Sequence, residues 1–161
     1  MKCGLLGRKL GHSYSPQIHS HFGDYSYSLF EKEPEELESF LKYGDFAGIN
    51  VTIPYKQNAC RACEHVDPKA LAIGAVNTVV NRDGVLYGYN TDYDGFLYCA
   101  RRAGVDFSDK KVLILGSGGT SLTARNAVAD AGAREIVVIS RSLSATTEQA
   151  GITRQCSISY D

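Results

Sequence analysis

The chain has no surplus of either charge. Seventeen Lys and Arg stand against 18 Asp and Glu, a formal net charge of -1 over 161 residues. No overall basic field therefore draws it to nucleic acid or to an anionic membrane surface, and any anion it takes must be held locally. Low-complexity stretches are also absent. Residues 1–11 carry a few apolar side chains broken by Gly, Arg and Lys, too short and too polar a stretch for a signal peptide or a spanning helix. Residence in the cytoplasm is the expectation. No paired set of cysteines is present either: the five, Cys3, Cys60, Cys63, Cys99 and Cys156, are odd in number and irregularly spaced, which argues against a secreted disulfide framework.

Cys60 and Cys63 form a CxxC pair, but a zinc site needs a second such pair or two histidines at helical spacing, and neither is there. They read as ordinary thiols on a helix, and no metal is expected. Asn50, Val51 and Thr52 match a glycosylation acceptor, idle without a secretory signal.

What is present is the composition of a globular protein, with 43% hydrophobic and 22% charged residues, and a length that suits one ordinary domain or two small ones. The hydrophobic period switches repeatedly between 2 and 3.6, the signature of an α/β fold. A strand over residues 3–6 leads to Ser15 and Pro16, read as an N-cap and a proline at the first helical position of a helix over 16–22. Residues 25–31 read as a second strand. Pro34, Glu35 and Glu36 open a helix whose Leu37, Phe40 and Leu41 share a face, closed by Lys42 and Gly44. A third strand covers 48–52, Pro54 begins a helical segment carrying Lys56, and 68–73 is a short helix. Asp83 and Gly84 between strands 75–81 and 85–89 signal a hairpin. Asp92 is read as the cap of a helix reaching about Ala103. The polar stretch 105–110 marks the domain boundary, giving domains 1–104 and 105–161.

Beyond it an apolar strand over 112–115 runs into Gly116, Ser117, Gly118 and Gly119, then an Ala-rich helix over 120–131 closed by Gly132, then a strand over 135–139. This is the first βαβ unit of a Rossmann-type domain, whose glycines let backbone N–H groups approach a pyrophosphate at a helix N-terminus. Ser121 takes the place of the third fingerprint glycine. The second strand ends in Ser140, Arg141 and Ser142 instead of an acidic residue, and a guanidinium there suits a 2′-phosphate, so NADP is expected over NAD.

In the first domain, polar residues collect at strand ends. Ser13 and Ser15 offer two hydroxyls just before a helix, a cradle for a carboxylate. Thr52 puts a hydroxyl at a strand end with the Lys56 ammonium about one turn away. Asn77 carries an amide into an apolar stretch, where it must find partners. Asn90, Thr91 and Asp92 follow the hairpin. Hydroxyls, amides, one carboxylate and one ammonium together are what recognition of a polyhydroxylated acid requires.

Four blocks in order, residues 11–16, 50–56, 74–78 and 88–95, followed by Gly116 to Gly119, resemble the motifs of the shikimate dehydrogenases over about residues 1–142. The resemblance implies an N-terminal substrate-binding α/β domain plus the start of a Rossmann-type nucleotide-binding domain, and NADP-dependent reduction of 3-dehydroshikimate to shikimate. It implies that Ser13 and Ser15 bind the carboxylate, that Thr52, Asn77 and Asp92 hold ring hydroxyls, and that Lys56 and Asp92 are the catalytic pair, with Gly116, Gly118, Gly119 and Arg141 on the cofactor. A homodimer is a further expectation. Family members continue with a second half of the nucleotide-binding domain and a C-terminal segment bearing a substrate-contacting glutamine, so the chain reads as C-terminally truncated. Three other readings stand beside this one: a shikimate-binding fragment without redox activity, a quinate or quinate/shikimate dehydrogenase, and a thiol protein built on Cys60 and Cys63.

Overall fold

The computed structural model describes residues 1–140 and the backbone of residues 154–157. The chain divides into two compact units, Met1–Asn90 and Thr91–Asp161.

The first unit holds β1 (Lys2–Gly7), α1 (Ser15–His19), β2 (Ser26–Glu31), α2 (Pro34–Tyr43), β3 (Gly48–Val51), α3 (Lys56–Ala62), β4 (His65–Val66), α4 (Pro68–Ile73), β5 (Thr78–Arg82) and β6 (Val85–Tyr89). Its sheet runs β2-β1-β3-β5-β6-β4. β1 is parallel to both β2 and β3, and β5 returns antiparallel to β3 and pairs antiparallel with β6. β1 and β3 are interior strands: β1 is buried from Gly4 to Gly7, with Leu6 fully covered, and β3 alternates, with Ile49 and Val51 nearly covered. Leu37 and Leu41 of α2 and Ala59 of α3 close over them.

Local chemistry sets the element ends. Glu33 and Glu36 form a capping box ahead of Pro34, with the Glu33 N–H donating to Glu36 Oε2 at 2.9 Å. α2 stops at Gly44, where an added Cβ would lie 2.4 Å from the Phe40 carbonyl oxygen. The turn between β5 and β6 places Asp83 at φ 53° and Gly84 at φ 89°, the left-handed pair a two-residue hairpin uses.

The second unit holds α5 (Asp92–Arg102), β7 (Lys111–Leu115), α6 (Gly119–Asp130), β8 (Glu135–Ser140) and β9 (Arg154–Ser157), with a parallel sheet in the order β7-β8-β9. A third strand placed beside the second, on the side away from the first, is one wing of a doubly wound sheet. Both helices end alike. In α6 the Ala133 N–H reaches the Val128 carbonyl and the Gly132 N–H the Ala129 carbonyl, with Gly132 at φ 83°; in α5 the Val105 and Gly104 N–H groups do the same to Ala100 and Arg101. α5 packs along α6, and the Tyr93 hydroxyl donates to Asp130 Oδ2 at 2.6 Å. That contact is why the compact units part after Asn90, whereas the sequence pattern suggested a boundary after Gly104.

Several element ends differ from the sequence reading. Ser15 is the first residue of α1 and not its cap, which is Tyr14, and the helix ends at His19. α3 begins at Lys56, two residues beyond Pro54. Asn77 precedes β5; the Val76 N–H goes to the Lys56 carbonyl, and the Asn77 N–H to the carbonyl of Tyr89, the last residue of β6. Thr91, not Asp92, is the N-cap of α5. Among the described residues no helix is long and apolar enough to cross a membrane.

Candidate functional site

In an α/β sheet the loops that leave the carboxyl ends of the strands are where ligand groups gather. Ser13 lies in the connection from β1 to α1 and Ser15 is the first residue of α1, Thr52 follows the last residue of β3, and Lys56 opens the helix after it. Asn77 enters β5, which starts at that same end because it is antiparallel to β3.

Backbone hydrogen bonds draw three of these positions together. The Thr52 N–H donates to the Leu6 carbonyl at 2.9 Å, the Val51 N–H to the Asn77 carbonyl at 2.7 Å, and the Val76 N–H to the Lys56 carbonyl at 2.9 Å. Gly7 supports them from below: a Cβ built on it would lie 2.8 Å from Thr52 Cγ2 and 2.6 Å from Leu10 Cδ2. Lys56 and Asn77 are buried, at 9% and 7% exposure, so both act where competition from bulk water is reduced. The serines are also linked, since the Ser15 N–H donates to Ser13 Oγ at 3.2 Å. The Leu10 N–H donates to Glu31 Oε1 at 2.6 Å, pinning their loop to β2.

Sequence reasoning did not single out Tyr27, Asn50 or Thr78 as site residues. The Tyr27 hydroxyl donates to Asn50 Oδ1 at 2.7 Å, Asn50 Nδ2 donates to Thr78 Oγ1 at 3.3 Å, and Thr78 Oγ1 donates to Asn77 Oδ1 at 3.1 Å. The Tyr27 ring stacks on His19 with centroids 3.9 Å apart, and His19 Nδ1 meets the Tyr25 hydroxyl at 2.7 Å. Burial pushes the Tyr27 phenol up to about 12, against a smaller lowering by a hydrogen bond with Ser15. The one local signal was alternation, which puts Tyr25 and Tyr27 on the same face of an edge strand.

In the second unit, Gly116 leaves β7 at φ 104°, a conformation few side chains allow, and its N–H donates to the Ile139 carbonyl at 2.7 Å. Gly118 is the N-cap of α6 and makes no side-chain cap, and Gly119 is the first helical residue. A Cβ at Gly116 or Gly118 would meet nothing within 4 Å, so the turn presents open backbone N–H groups at a helix N-terminus, which fits a pyrophosphate. Ser117 Oγ and Ser140 Oγ, 2.7 Å apart, tie this turn to the end of β8. Among the described residues the buried Ser121 hydroxyl has no hydrogen-bond partner, nor, one turn on, has Nε of the buried Arg125, whose pKa burial lowers. Asp92, half-buried, is the first residue of α5. Arg141 lies outside the described residues.

Cys60 lies on α3 and Cys63 caps its end, both as free thiols. Burial raises both, Cys63 to about 12, the opposite of the depressed value a reactive thiol has. Among the described residues no group of three His, Cys, Asp or Glu is placed to hold a metal.

A polar cluster at the strand ends of a mixed sheet, followed in the chain by a parallel βαβ unit with a glycine turn, defines an α/β protein with a Rossmann-type second part. Residues 5–79 match the family described as the shikimate dehydrogenase substrate binding domain. A shikimate dehydrogenase (NADP(+)) of Clostridium perfringens (strain SM101 / Type A) is 41% identical over 146 residues, which is 86% of this chain and 54% of that protein. Among solved structures, shikimate dehydrogenase 1 from Peptoclostridium difficile superposes with a TM-score of 0.87 at 35% identity, covering 97% of this chain and 60% of that one. Shikimate 5-dehydrogenase from Thermus thermophilus, solved in complex with NADP(H) and shikimate, superposes at 0.79 with 34% identity, over 88% of this chain and 56% of that one. Residues 5–79 belong to the shikimate dehydrogenase substrate-binding family, and the relatives matched along the rest of the chain are shikimate dehydrogenases. It spans about half the length of the curated relatives it matches.

Proposed function

We propose that this chain carries the shikimate-binding part and the opening of the NADP-binding part of an NADP-dependent shikimate dehydrogenase, which interconverts 3-dehydroshikimate and shikimate. The supporting observation is the buried Lys56, set beside Thr52 and Asn77 by the backbone bonds that join β1, β3 and residues 75–77. Residues 1–104 serve the substrate and residues 105–161 the cofactor in this reading.

Ser13 and Ser15 donate to the carboxylate, and Thr52, Asn77 and Asp92 take the ring hydroxyls. NADPH, when bound, supplies the hydride to the carbonyl carbon. As that carbon is reduced, negative charge grows on its oxygen, and Lys56 stabilises the charge and delivers the proton that completes the alcohol. Asp92 is the second catalytic residue of this reading. Gly118 and Gly119 hold the pyrophosphate through backbone N–H groups, Gly116, whose own N–H is taken by Ile139, shapes the turn on the cofactor, and Arg141 takes the 2′-phosphate. Homodimer formation and a cytoplasmic location belong to the same proposal, to be checked by sedimentation and by cell fractionation.

The deciding experiment adds shikimate and NADP to the chain, follows absorbance of the reduced nicotinamide, and measures shikimate binding by calorimetry in parallel. Binding with turnover is the expected result for the dehydrogenase. Because the chain spans about half of its relatives, binding without turnover is the second reading, a shikimate-binding module. Failure to bind shikimate at millimolar concentration overturns both. Tighter binding of quinate would move the assignment to that substrate, and equal affinity for NADP and NAD would remove the role given to Arg141.

A further inference from the structure

We infer that Thr78 is a positioning residue of the substrate site, whose hydroxyl fixes the side-chain amide of Asn77 so that Asn77 meets a ring oxygen of the bound acid as an N–H donor. The inference rests on the shikimate reading of the site and deepens it. Behind it stands a relay of side-chain hydrogen bonds within the first unit. The Tyr27 hydroxyl donates to Asn50 Oδ1 at 2.7 Å, Asn50 Nδ2 to Thr78 Oγ1 at 3.3 Å, and Thr78 Oγ1 to Asn77 Oδ1 at 3.1 Å. The fold brings these groups together. β3 and β5 run antiparallel with Asn50 directly opposite Thr78. Asn77 is held at the head of β5 by its backbone, the Val51 N–H donating to its carbonyl at 2.7 Å and its own N–H to the Tyr89 carbonyl at 3.0 Å.

The relay has one direction. At 2.7 Å the contact between Tyr27 and Asn50 has the length of an O–H···O bond and is shorter than the usual N–H···O. Oδ1 of Asn50 therefore faces the phenol, and its Nδ2 faces Thr78. A threonine hydroxyl has one proton to give. Because Asn50 already supplies a hydrogen to Oγ1, the Thr78 proton goes on to Asn77. Half a turn of the Asn77 amide would set N–H against that O–H, two donors face to face at a residue only 7% exposed, which is costly. The terminal torsion of an asparagine is otherwise broad and close to two-fold, so without Thr78 the amide divides its population between two orientations. The threonine selects one of them before any ligand arrives.

The test reads shikimate affinity by calorimetry on the whole chain. Thr78→Val keeps the branched shape and removes the hydroxyl; loss of one such hydrogen bond corresponds to about fivefold weaker binding. Thr78→Ser keeps the hydroxyl and removes the methyl, and is expected to bind within about twofold of the unaltered chain. Thr78→Ser as weak as Thr78→Val, or weaker, would show that the shape of the side chain is what matters, and overturns the inference. In an Asn77→Ala background Thr78→Val is expected to cost less than about twofold, because the group it acts through is gone. Equal loss in both backgrounds is the mark of a purely structural role and also overturns it. Should Thr78→Val fail to fold by circular dichroism, Tyr27→Phe, at the far end of the relay, enters the same cycle with Asn77→Ala; coupling there supports the relay and additivity refutes it. If the unaltered chain binds shikimate and Thr78→Val binds it equally well, the inference alone fails; if the unaltered chain does not bind shikimate, the functional reading fails and the inference falls with it.

Discussion

The two compact units follow the same α/β grammar to different degrees of closure. In the first, an antiparallel hairpin returns beside β3, the sheet reaches six strands, and Leu6, Ala59, Val76 and Val79 lose all contact with solvent. In the second, β8 buries Ile136 and Val138, while β7 leaves Leu113 57% and Leu115 75% exposed. Their candidate sites differ in the same sense. The polar cluster of the first unit is held by bonds between several segments far apart in sequence, whereas the glycine turn of the second lies at one strand end and is tied to the neighbouring strand end alone. The proposed acid site is therefore a property of the whole sheet, and the proposed nucleotide turn rests mainly on its own strand end.

That contrast is most exposed to test at Lys56. Lys56→Ala is expected to lower shikimate-dependent NADP reduction by about 10²–10⁴-fold, with much less effect on shikimate affinity, as removal of a proton donor does; turnover at the unaltered rate would end its catalytic role. Next in size is a contrast in stability. Leu6→Ala should cost about 2–5 kcal/mol in urea unfolding, and Leu113→Ala no more than about 0.5 kcal/mol; similar costs would mean that the first unit is not the better closed.

A third prediction separates the two sites. Gly116→Ala, forced into a strained φ at about 1–3 kcal/mol, should weaken NADP binding and leave shikimate affinity unchanged, while Ser13→Ala should weaken shikimate by about tenfold and leave NADP alone. Cross-effects in both directions would show the sites to be coupled. The smallest effect is spectroscopic. Tyr27 in the first unit and Tyr93 in the second are both pushed up to about 12, mainly by burial, with the Asp130 carboxylate adding to the rise at Tyr93. A raised acid contributes stability that is complete below the ordinary phenol value near 10 and is lost as pH climbs toward 12. Ultraviolet titration should show tyrosines that ionise late, and Tyr27→Phe should remove one of them; an unchanged late phase would contradict the burial of that phenol.

Local sequence signals carried what is local in the structure. The Asp83–Gly84 turn, the run from β7 through the glycines into α6, and the proline and glutamates opening α2 could each be read from neighbouring residues, because turn, cap and period are set within one or two turns of chain. The serine, threonine, lysine and asparagine of the first unit were legible as a constellation through the order of their motifs. β4 was not, since two residues, His65 and Val66, are too few to show a period and exist as strand only by pairing with β6. Nor was the Tyr27 relay, whose bonds join positions 23 and 28 apart. α5 was placed with the first part of the chain because the polar stretch after it looks like a linker, yet Tyr93 finds its partner on α6.

At position 7 the first strand contributes no side chain, only a hydrogen, and the methyl of Thr52 rests in the space so left. An omission fixes that strand end: a single carbon added beneath the threonine would collide with its methyl and push its hydroxyl out of place.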